Sequence, residues 1–580
     1  MQPNITLQDA FKTSTYDQDK VISPDETVKR FKARLQKVDL DILHHTERID
    51  KGRLDIPVYF SVCGKDAQAV IGNKKQMGKG ASADQAEASA VMELAERFSF
   101  FSFCRNPANF IVDTYANLKD KALEFEAVAR SVHDDSADLK VARELFAAIP
   151  MRWTWAWNLT AGRAVLVPFD WFYAINEFNG PSAGNCQEEA LSQGICEIVE
   201  RHVSSLISRG RLQVPAIRPE TARDPMVQDM LSKYRRSGIR LFVQDFSLDM
   251  GIPSVGVMAY DPATFPARSE IVWTAGTTPS PEKAFSRALT EVAQLAGDFN
   301  TNANYVASGL PKFTRLEQAD FILEAHRAVD LEALPDLSHE NIRVEVERLV
   351  GALARRSLEV LAVDTRHPDL GIPAFYTIVP GTHFRERAEG TSVGMFAAKL
   401  VVAKYSPDAA LKELARFDRI LPERHYVQFY QGLCHLNAGR PEAALPHLER
   451  ARKLDPTAED LVSILSYMGV AYKELERYHE ALAVLAQGVA LDAARTDLHN
   501  LMGFCHFKLK AHAAAIECFQ TAVKLNPGSG IDYANIASNY RELGQTDEAI
   551  RYYKMALEID PSIDFAWENL SRLSAGRPDA

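Results

Sequence analysis

Apolar residues recur every three or four positions over long stretches of the chain and alternate over shorter ones between them. Asp25 to Leu35 places Val28, Phe31 and Leu35 on one stripe, which predicts a helix. Ile56 to Cys63 reads as a strand, Val70-Ile71 as the start of another, and a helix over about 83–103 follows Ser82. Leu118 to Ala148 reads as mostly helical and charged, a connecting or covering segment. Trp153–Leu159 and Ala164–Pro168 predict paired strands, and Phe172-Tyr173 continues their apolar run toward the Asn179-Gly180-Pro181 turn. Further on come a helix over Met226–Ser237 and strands over Ile239–Phe246, Ser254–Tyr260 and Glu270–Thr274. A helix over 339–356 and strands near 358–364 and 373–379 complete the region. Strand pairs alternating with long helices predict a mixed α+β domain over residues 1–404, which opens with an extended polar arm over residues 1–20.

The pattern changes near Tyr405-Ser406-Pro407, and residues 405–580 read as helical and repetitive. Leu454-Asp455-Pro456, Leu491-Asp492-Ala493, Leu525-Asn526-Pro527 and Ile559-Asp560-Pro561 close successive units at intervals of 37, 34 and 34 residues. Small and aromatic positions recur inside them, as in Gly469-Val470-Ala471-Tyr472, Gly503-Phe504-Cys505-His506 and Ala537-Ser538-Asn539-Tyr540. Glu442, Glu480 and Glu548 mark the second helix of their units. This is the tetratricopeptide period, a helix-turn-helix of 34 residues. Four units and a capping helix at Phe565–Leu573 predict an all-α solenoid whose groove binds a peptide or a second copy.

One helix in the first region has polar residues of the wrong kind for a solvated face. Gln193, Glu197, Glu200 and Arg201 share one side of it, while Ala190, Leu191, Ile195, Cys196, Ile198 and Val199 cover most of the rest. Ser182 and Asn185 precede it where capping residues belong. The pattern occurs three times. Ala86-x-x-Ser89-x-x-x-Glu93-x-x-Glu96-Arg97 matches Ala190 to Arg201 at an offset of 104 residues, and Ala284-x-x-Arg287-x-x-x-Glu291-x-x-Gln294 follows 94 residues later. One such helix would be read as carrying structural ion pairs. Three in one register predict duplicated strand/helix units converging on a shared site.

Charge and cysteines narrow the class. The formal net charge is -11, and no Lys/Arg block advertises a nucleic-acid groove, so direct nucleic-acid binding is not expected. The seven cysteines are scattered without a C-x-x-C pair, which predicts reduced and mostly buried thiols in a cytoplasmic protein. No apolar run approaches the length of a membrane span. His202, next to Arg201, reads as a surface or capping histidine or, less simply, as a group that titrates near the site, and neither Cys186 nor Cys196 has a base at a recognisable spacing.

Glu93, Glu96, Glu197 and Glu200, with Glu189 and Glu291 in register, are too many carboxylates for one acid/base pair. Hard oxygen ligands without histidine favour magnesium, and Arg97, Arg201 and Arg287 beside them suggest a nucleoside triphosphate. The phosphate-binding loop of P-loop enzymes is absent: Gly72 and Lys79 are misspaced, and Gly80 stands where Ser or Thr must follow the lysine. Gly78-Lys79-Gly80 offers a cation and backbone amides at a helix start, or a plain turn.

These motifs resemble the YcaO superfamily of ATP-using enzymes: G-K-G with S-x-x-x-E-x-x-E-R (Gly78 to Arg97), S-A-G-N-x-x-x-E-x-x-x-Q-x-x-x-E-x-x-E-R (Ser182 to Arg201), and R-A-x-x-E-x-x-Q (Arg287 to Gln294). The resemblance covers about residues 15–385. It implies that Glu93, Glu96, Glu197 and Glu200 hold magnesium ions bridging the phosphates of ATP. It further implies nucleotide contacts from Ser182, Asn185, Glu189, Arg201, Arg287 and Glu291, and from Lys20 and Thr27 at the arm and first helix. Lys79 and Gln193 complete the expected site. The implied chemistry is phosphorylation of a peptide or protein backbone amide, after which a side chain, a sulfur donor or an amine attacks the activated carbon. Azoline-forming members often end in a proline-rich tail, and this sequence closes in SRLSAGRPDA after its helical array, so azoline formation is the less expected outcome. The C-terminal repeats resemble instead those of stand-alone bacterial members linked to methylthiolation of a ribosomal protein, which implies a homodimer and a sulfur-donor or methylthiotransferase partner. The competing expectation is a non-catalytic ATP-binding assembly scaffold that uses its repeats to bind proteins.

Overall fold

The computed structural model describes residues 4–575 apart from 51, 73–75, 267–268, 297–298, 300–312, 314, 385–390 and 527. Pro527 of the third repeat signature and the tail after residue 575 lie outside the described residues. The chain divides into two compact units, Met1–Asp134 with Ala147–Glu389, and Asp135–Phe146 with Gly390–Ala580.

The described residues of the first unit form three sheets. One has three antiparallel strands in the order Leu43–Arg48, Val58–Cys63 and Gln76–Lys79. A second runs Val272–Thr277, Ser254–Tyr260, Arg240–Asp245, Ala216–Ile217 and Ala328–Val329. The third runs Ile111–Asp113, Met151–Asn158, Leu361–Asp364, Ala374–Ile378 and Pro181–Ala183, with Arg163–Pro168 also on Met151–Asn158. Most expected elements are present within a few residues. Val70-Ile71 instead ends a helix, Lys65–Ile71, and Phe172-Tyr173 belongs to a helix, Phe169–Asn176, because apolar runs this short do not distinguish strand from buried helix. Gly78-Lys79 is strand and not turn.

Each sheet ends in an edge strand that feeds one acidic helix. Gln76–Lys79 leads into Ala83–Arg105, Pro181–Ala183 into Gln187–Gly210, and Val272–Thr277 into Pro281–Ala296; these are the first, central and third acidic helices below. Each helix packs on its own strand and on the next: the first on Pro181–Ala183, the central on Val272–Thr277, the third on Gln76–Lys79. The three units therefore close into a ring.

Small residues set the packing distance within each unit. A Cβ on Gly78 would lie 2.1 Å from Ala86 O and from Ala90 N, and one on Gly276 would lie 2.3 Å from Ala284 O and 2.7 Å from Ala288 N. Gly78, Ser182 and Gly276 are register equivalents, as are Ala90, Gly194 and Ala288. In the central unit the exchange is reversed: the helix supplies Gly194, whose added Cβ would meet Ser182 Oγ at 2.7 Å.

In the second unit, the helix pairs His425–Asn437 with Pro441–Lys453, Ala458–Glu474 with Tyr478–Leu491, Thr496–Lys508 with His512–Leu525, and Gly530–Glu542 with Thr546–Ile559 are followed by Asp564–Ala575. These are the four repeats and cap. Helices Val393–Lys404 and Pro407–Ile420 precede them. Residues Asp135–Phe146, expected to connect or cover, belong to this unit, and Arg424 grips Asp138 through both carboxylate oxygens at 2.6 and 2.9 Å. Successive helices bury Ala444, Leu448, Leu465, Leu485, Phe519 and Tyr553, so each pair completes its core against its neighbours.

Candidate functional site

The three acidic helices carry equivalent positions in successive layers about four residues apart. In chain order the layers are Gln85, Glu189 and Lys283; Ser89, Gln193 and Arg287; Glu93, Glu197 and Glu291; Glu96, Glu200 and Gln294. A cavity of about 300 Å³ is lined from all four layers. Of the expected residues, Lys20, Thr27, Lys79, Glu93, Glu96, Arg97, Asn185, Glu189, Gln193, Glu197, Arg201, Arg287 and Glu291 line it.

Ser182 and Glu200 do not line it. Ser182 is fully buried on its strand, where its Cα pairs with Phe375, and its hydroxyl faces the back of the central helix at Gly194. Neither Ser182 nor Asn185 caps that helix: Cys186 does, its sulfur accepting from Glu189 N at 3.5 Å. Asn185 instead donates through its backbone and side-chain amides to Glu189 Oε2, both at 3.0 Å. Glu200 is 1% exposed and accepts from Thr277 N at 3.1 Å, with Arg287 Nε at 3.4 Å and Arg201 Nη1 at 3.8 Å.

Cations stand between the other carboxylates. Arg97 lies 3.5 Å from Glu96 and 3.9 Å from Glu93. Lys79 pairs with Glu291 across the ring, and Arg287 donates to Gln193 at 3.2 Å. Gly180 N donates to Glu197 at 3.4 Å. Gln294, which replaces the second glutamate in the third helix, donates to Met77 O at 3.1 Å and so ties the ring shut. Burial works against Glu291 as an anion, yet Lys79 and the neighbouring arginines hold its carboxyl below the ordinary range. Burial pushes Glu93 up despite Arg97, and pushes Glu96 well above the usual carboxylate range, with Glu197 and Glu93 adding to the shift.

These residues fit a magnesium-bound triphosphate. The donors at the cavity wall are carboxylate oxygens without histidine, and burial disfavours the charged forms of Glu93 and Glu96, so added positive charge there would stabilise both. Among the described residues no three His, Cys, Asp or Glu side chains gather tightly enough to hold an ion by themselves. Magnesium suits such a layout, because it takes one or two carboxylates and fills its remaining positions with water and phosphate oxygens.

Several site residues carried no usable signal in the sequence. The arm supplies Asp17 and Gln18 beside Lys20, and its polar pattern gives no sign of where it lies. Ser89 was legible as the register partner of Gln193 and Arg287, and it lines the cavity. His202 corrects an expectation: it is 8% exposed, its Nδ1 accepts from His383 N at 2.9 Å, and its ring stacks 5.5 Å from that of His383. Burial and the nearby His383, His133 and Arg356 push its pKa down to about 3. All seven cysteines are free, and burial pushes the Cys186 and Cys196 thiols up to about 12, so neither is a ready nucleophile. Among the described residues no helix is long and apolar enough to cross a membrane.

Comparison with known proteins bears on the family and the fold. The family described as YcaO cyclodehydratase, ATP- and Mg2+-binding, matches residues 77–383, and tetratricopeptide families match 406–459 and 492–562. A protein of Methanothermobacter thermautotrophicus without an assigned role is 28% identical over 383 residues, covering 62% of this chain and 94% of its own. The ribosomal protein S12 methylthiotransferase accessory factor YcaO of Escherichia coli is 29% identical over 136 residues, 23% of this chain and 22% of that protein. Among solved structures, a heterocyclase in complex with substrate and cofactor superposes with a TM-score of 0.54 at 22% identity, over 66% of this chain and 55% of the heterocyclase. The YcaO protein of Methanopyrus kandleri bound with AMPPCP and Mg2+ gives 0.50 at 22% identity, over 65% and 95%.

Proposed function

Because this chain belongs to the ATP- and Mg2+-binding YcaO family, we propose that it uses ATP and magnesium to activate a backbone amide of a peptide or protein by phosphorylating the carbonyl oxygen. The observation that carries the reading is the layered ring: glutamates from the first and central helices face one cavity with Lys79, Arg97, Arg201 and Arg287 among them. Glu93, Glu96 and Glu197 would hold magnesium at the cavity wall, with Glu200 behind them anchoring Arg201 and Arg287. When bound, the metal supplies charge neutralisation of the transferring phosphoryl group, the main electrostatic task of such a transfer. Arg97 and Arg201 orient phosphate oxygens, Lys79 is fixed by Glu291, and Asn185 and Lys20 hold Glu189 at the opposite end.

In the reaction an oxygen–phosphorus bond forms at the amide and a phosphoanhydride of ATP breaks. A nucleophile then adds to the amide carbon, and phosphate leaves with the former amide oxygen. The resemblance to a methylthiotransferase accessory factor favours an external nucleophile brought by a protein partner, and the repeat unit is the proposed docking surface for that partner or for a second copy. The test is phosphate release from ATP with and without candidate peptides. Release that depends on peptide and falls at least tenfold in Glu96→Gln supports amide activation. Tight ATP binding without peptide-dependent release would leave the scaffold role in its place.

A further inference from the structure

The N-terminal arm visits the start of every helix in the ring. Lys283 of the third helix donates to Thr15 O at 2.8 Å and Tyr16 O at 3.3 Å. Asp17 Oδ2 accepts from Ser82 N at 2.9 Å and Ser82 Oγ at 3.3 Å, at the cap of the first helix. Glu189 of the central helix accepts from Val21 N at 2.7 Å, with Lys20 Nζ at 3.9 Å. The arm thus closes the end of the cavity that lies away from the acidic layers.

Asp17 is the unusual residue on it. It is 3% exposed, it lines the cavity, and its Oδ1 is buried with no hydrogen-bond partner among the described residues. The Ser82 contacts use Oδ2, the Ala81 amide lies close to the same carboxylate, and Oδ1 keeps no hydrogen bond of good geometry among the described residues. A buried carboxylate oxygen left unsatisfied is costly, so a donor from a bound molecule is the expected complement. Position identifies that molecule's part. Ser82 precedes Glu93 by eleven residues, about 16 Å along a helix axis. With phosphates and magnesium at the glutamate layers, the Asp17 end receives the nucleoside. The lysines there do not invite phosphate, since Lys20 faces Glu189 and Lys283 is paired with Asp224 at 2.7 Å.

We propose that Asp17 is a specificity-determining contact of the nucleotide site, its Oδ1 accepting a hydrogen bond from a donor on the nucleoside half of ATP, either the amino group of the base or a ribose hydroxyl. This rests on the ATP reading above. The test measures binding of ATP, magnesium tripolyphosphate, inosine triphosphate, 2′-deoxy-ATP and 3′-deoxy-ATP to the full chain and to Asp17→Asn. The variant keeps an oxygen for Ser82 and replaces the second acceptor with a donor. Its affinity for ATP should fall about 10–100-fold, the range for a lost hydrogen bond to a charged group, with tripolyphosphate affinity unchanged. The native chain should lose a similar factor for whichever analogue lacks the donor, and Asp17→Asn should no longer distinguish that analogue from ATP. Native affinity equal for ATP and all three analogues overturns the proposal even if the variant fails to fold. So does a variant that binds ATP like the native chain, or one that loses ATP and tripolyphosphate alike. A native chain that binds neither ATP nor tripolyphosphate overturns the ATP reading as well, whereas ATP binding indifferent to Asp17 overturns only this contact.

Discussion

Both units are built by repetition, and they put it to opposite uses. In the first, three strand–helix units close on one another, so every helix touches two strands and the register-matched side chains share one cavity. In the second, helix pairs follow one another in an open series, and each unit buries its apolar face against its immediate neighbours. The contact residues differ accordingly. Gly78 lets backbone approach backbone, whereas a Cβ on Gly469 would meet the side chain of Leu485 at 2.5 Å. A closed ring concentrates charge that no single unit could hold, and an open series extends a surface.

The largest test of that difference is Gly78→Val. With Ala86 O and Ala90 N 2.1 Å from the new Cβ and no side chain able to move aside, the ring should lose more than about 4 kcal/mol, read by thermal or denaturant unfolding of the first unit. Magnesium-dependent ATP binding should vanish with it. Next is the Lys79–Glu291 pair across the ring. Lys79→Met alone should cost about 3 kcal/mol by taking the nearest cation from buried Glu291 and leaving it only the neighbouring arginines, while Lys79→Met with Glu291→Met should recover most of that stability but not nucleotide binding. In the series, Gly469→Ala should cost only about 1–2 kcal/mol, because Leu485 can shift, and should leave ATP affinity unchanged. An equal loss of ATP affinity would mean that the two units do not act separately.

The smallest effect is a pH slope. His202 has its folded pKa pushed from the ordinary 6.5 to about 3, so the folded chain binds fewer protons than the unfolded chain between those values. Stability from this group is therefore present above pH 6.5 and lost as pH falls toward 3, with a slope approaching about 1.4 kcal/mol per pH unit. His202→Asn, which keeps an acceptor for His383 N, should flatten that part of the stability profile.

Much of this was legible in the sequence because repetition is a pattern along the chain. The common register of Glu93, Glu197 and Glu291 was visible at fixed offsets, and the helices place these residues around one cavity. The repeat array was equally plain, since its period is set by local helix-turn-helix geometry. What escaped depends on contacts distant in sequence. Ser182 looked like a cap beside the central helix, but its strand register aims it at Gly194. His202 looked exposed because its partner His383 is 181 residues away. The arm has no apolar period, and ion pairs such as Lys12 to Glu345 at 2.6 Å decide its path. Short apolar runs at Val70 and Phe172 were ambiguous on their own, and tertiary packing made them helical.

The central claim is that glutamates from different helices of the ring act as one magnesium–ATP site. Calorimetric titration of ATP, with magnesium and with chelator, into the native chain, Glu93→Gln and Glu197→Gln tests it most directly. The account predicts magnesium-dependent binding by the native chain that weakens at least tenfold in each folded variant. Native binding unaffected by chelator, or by loss of either glutamate, would contradict it.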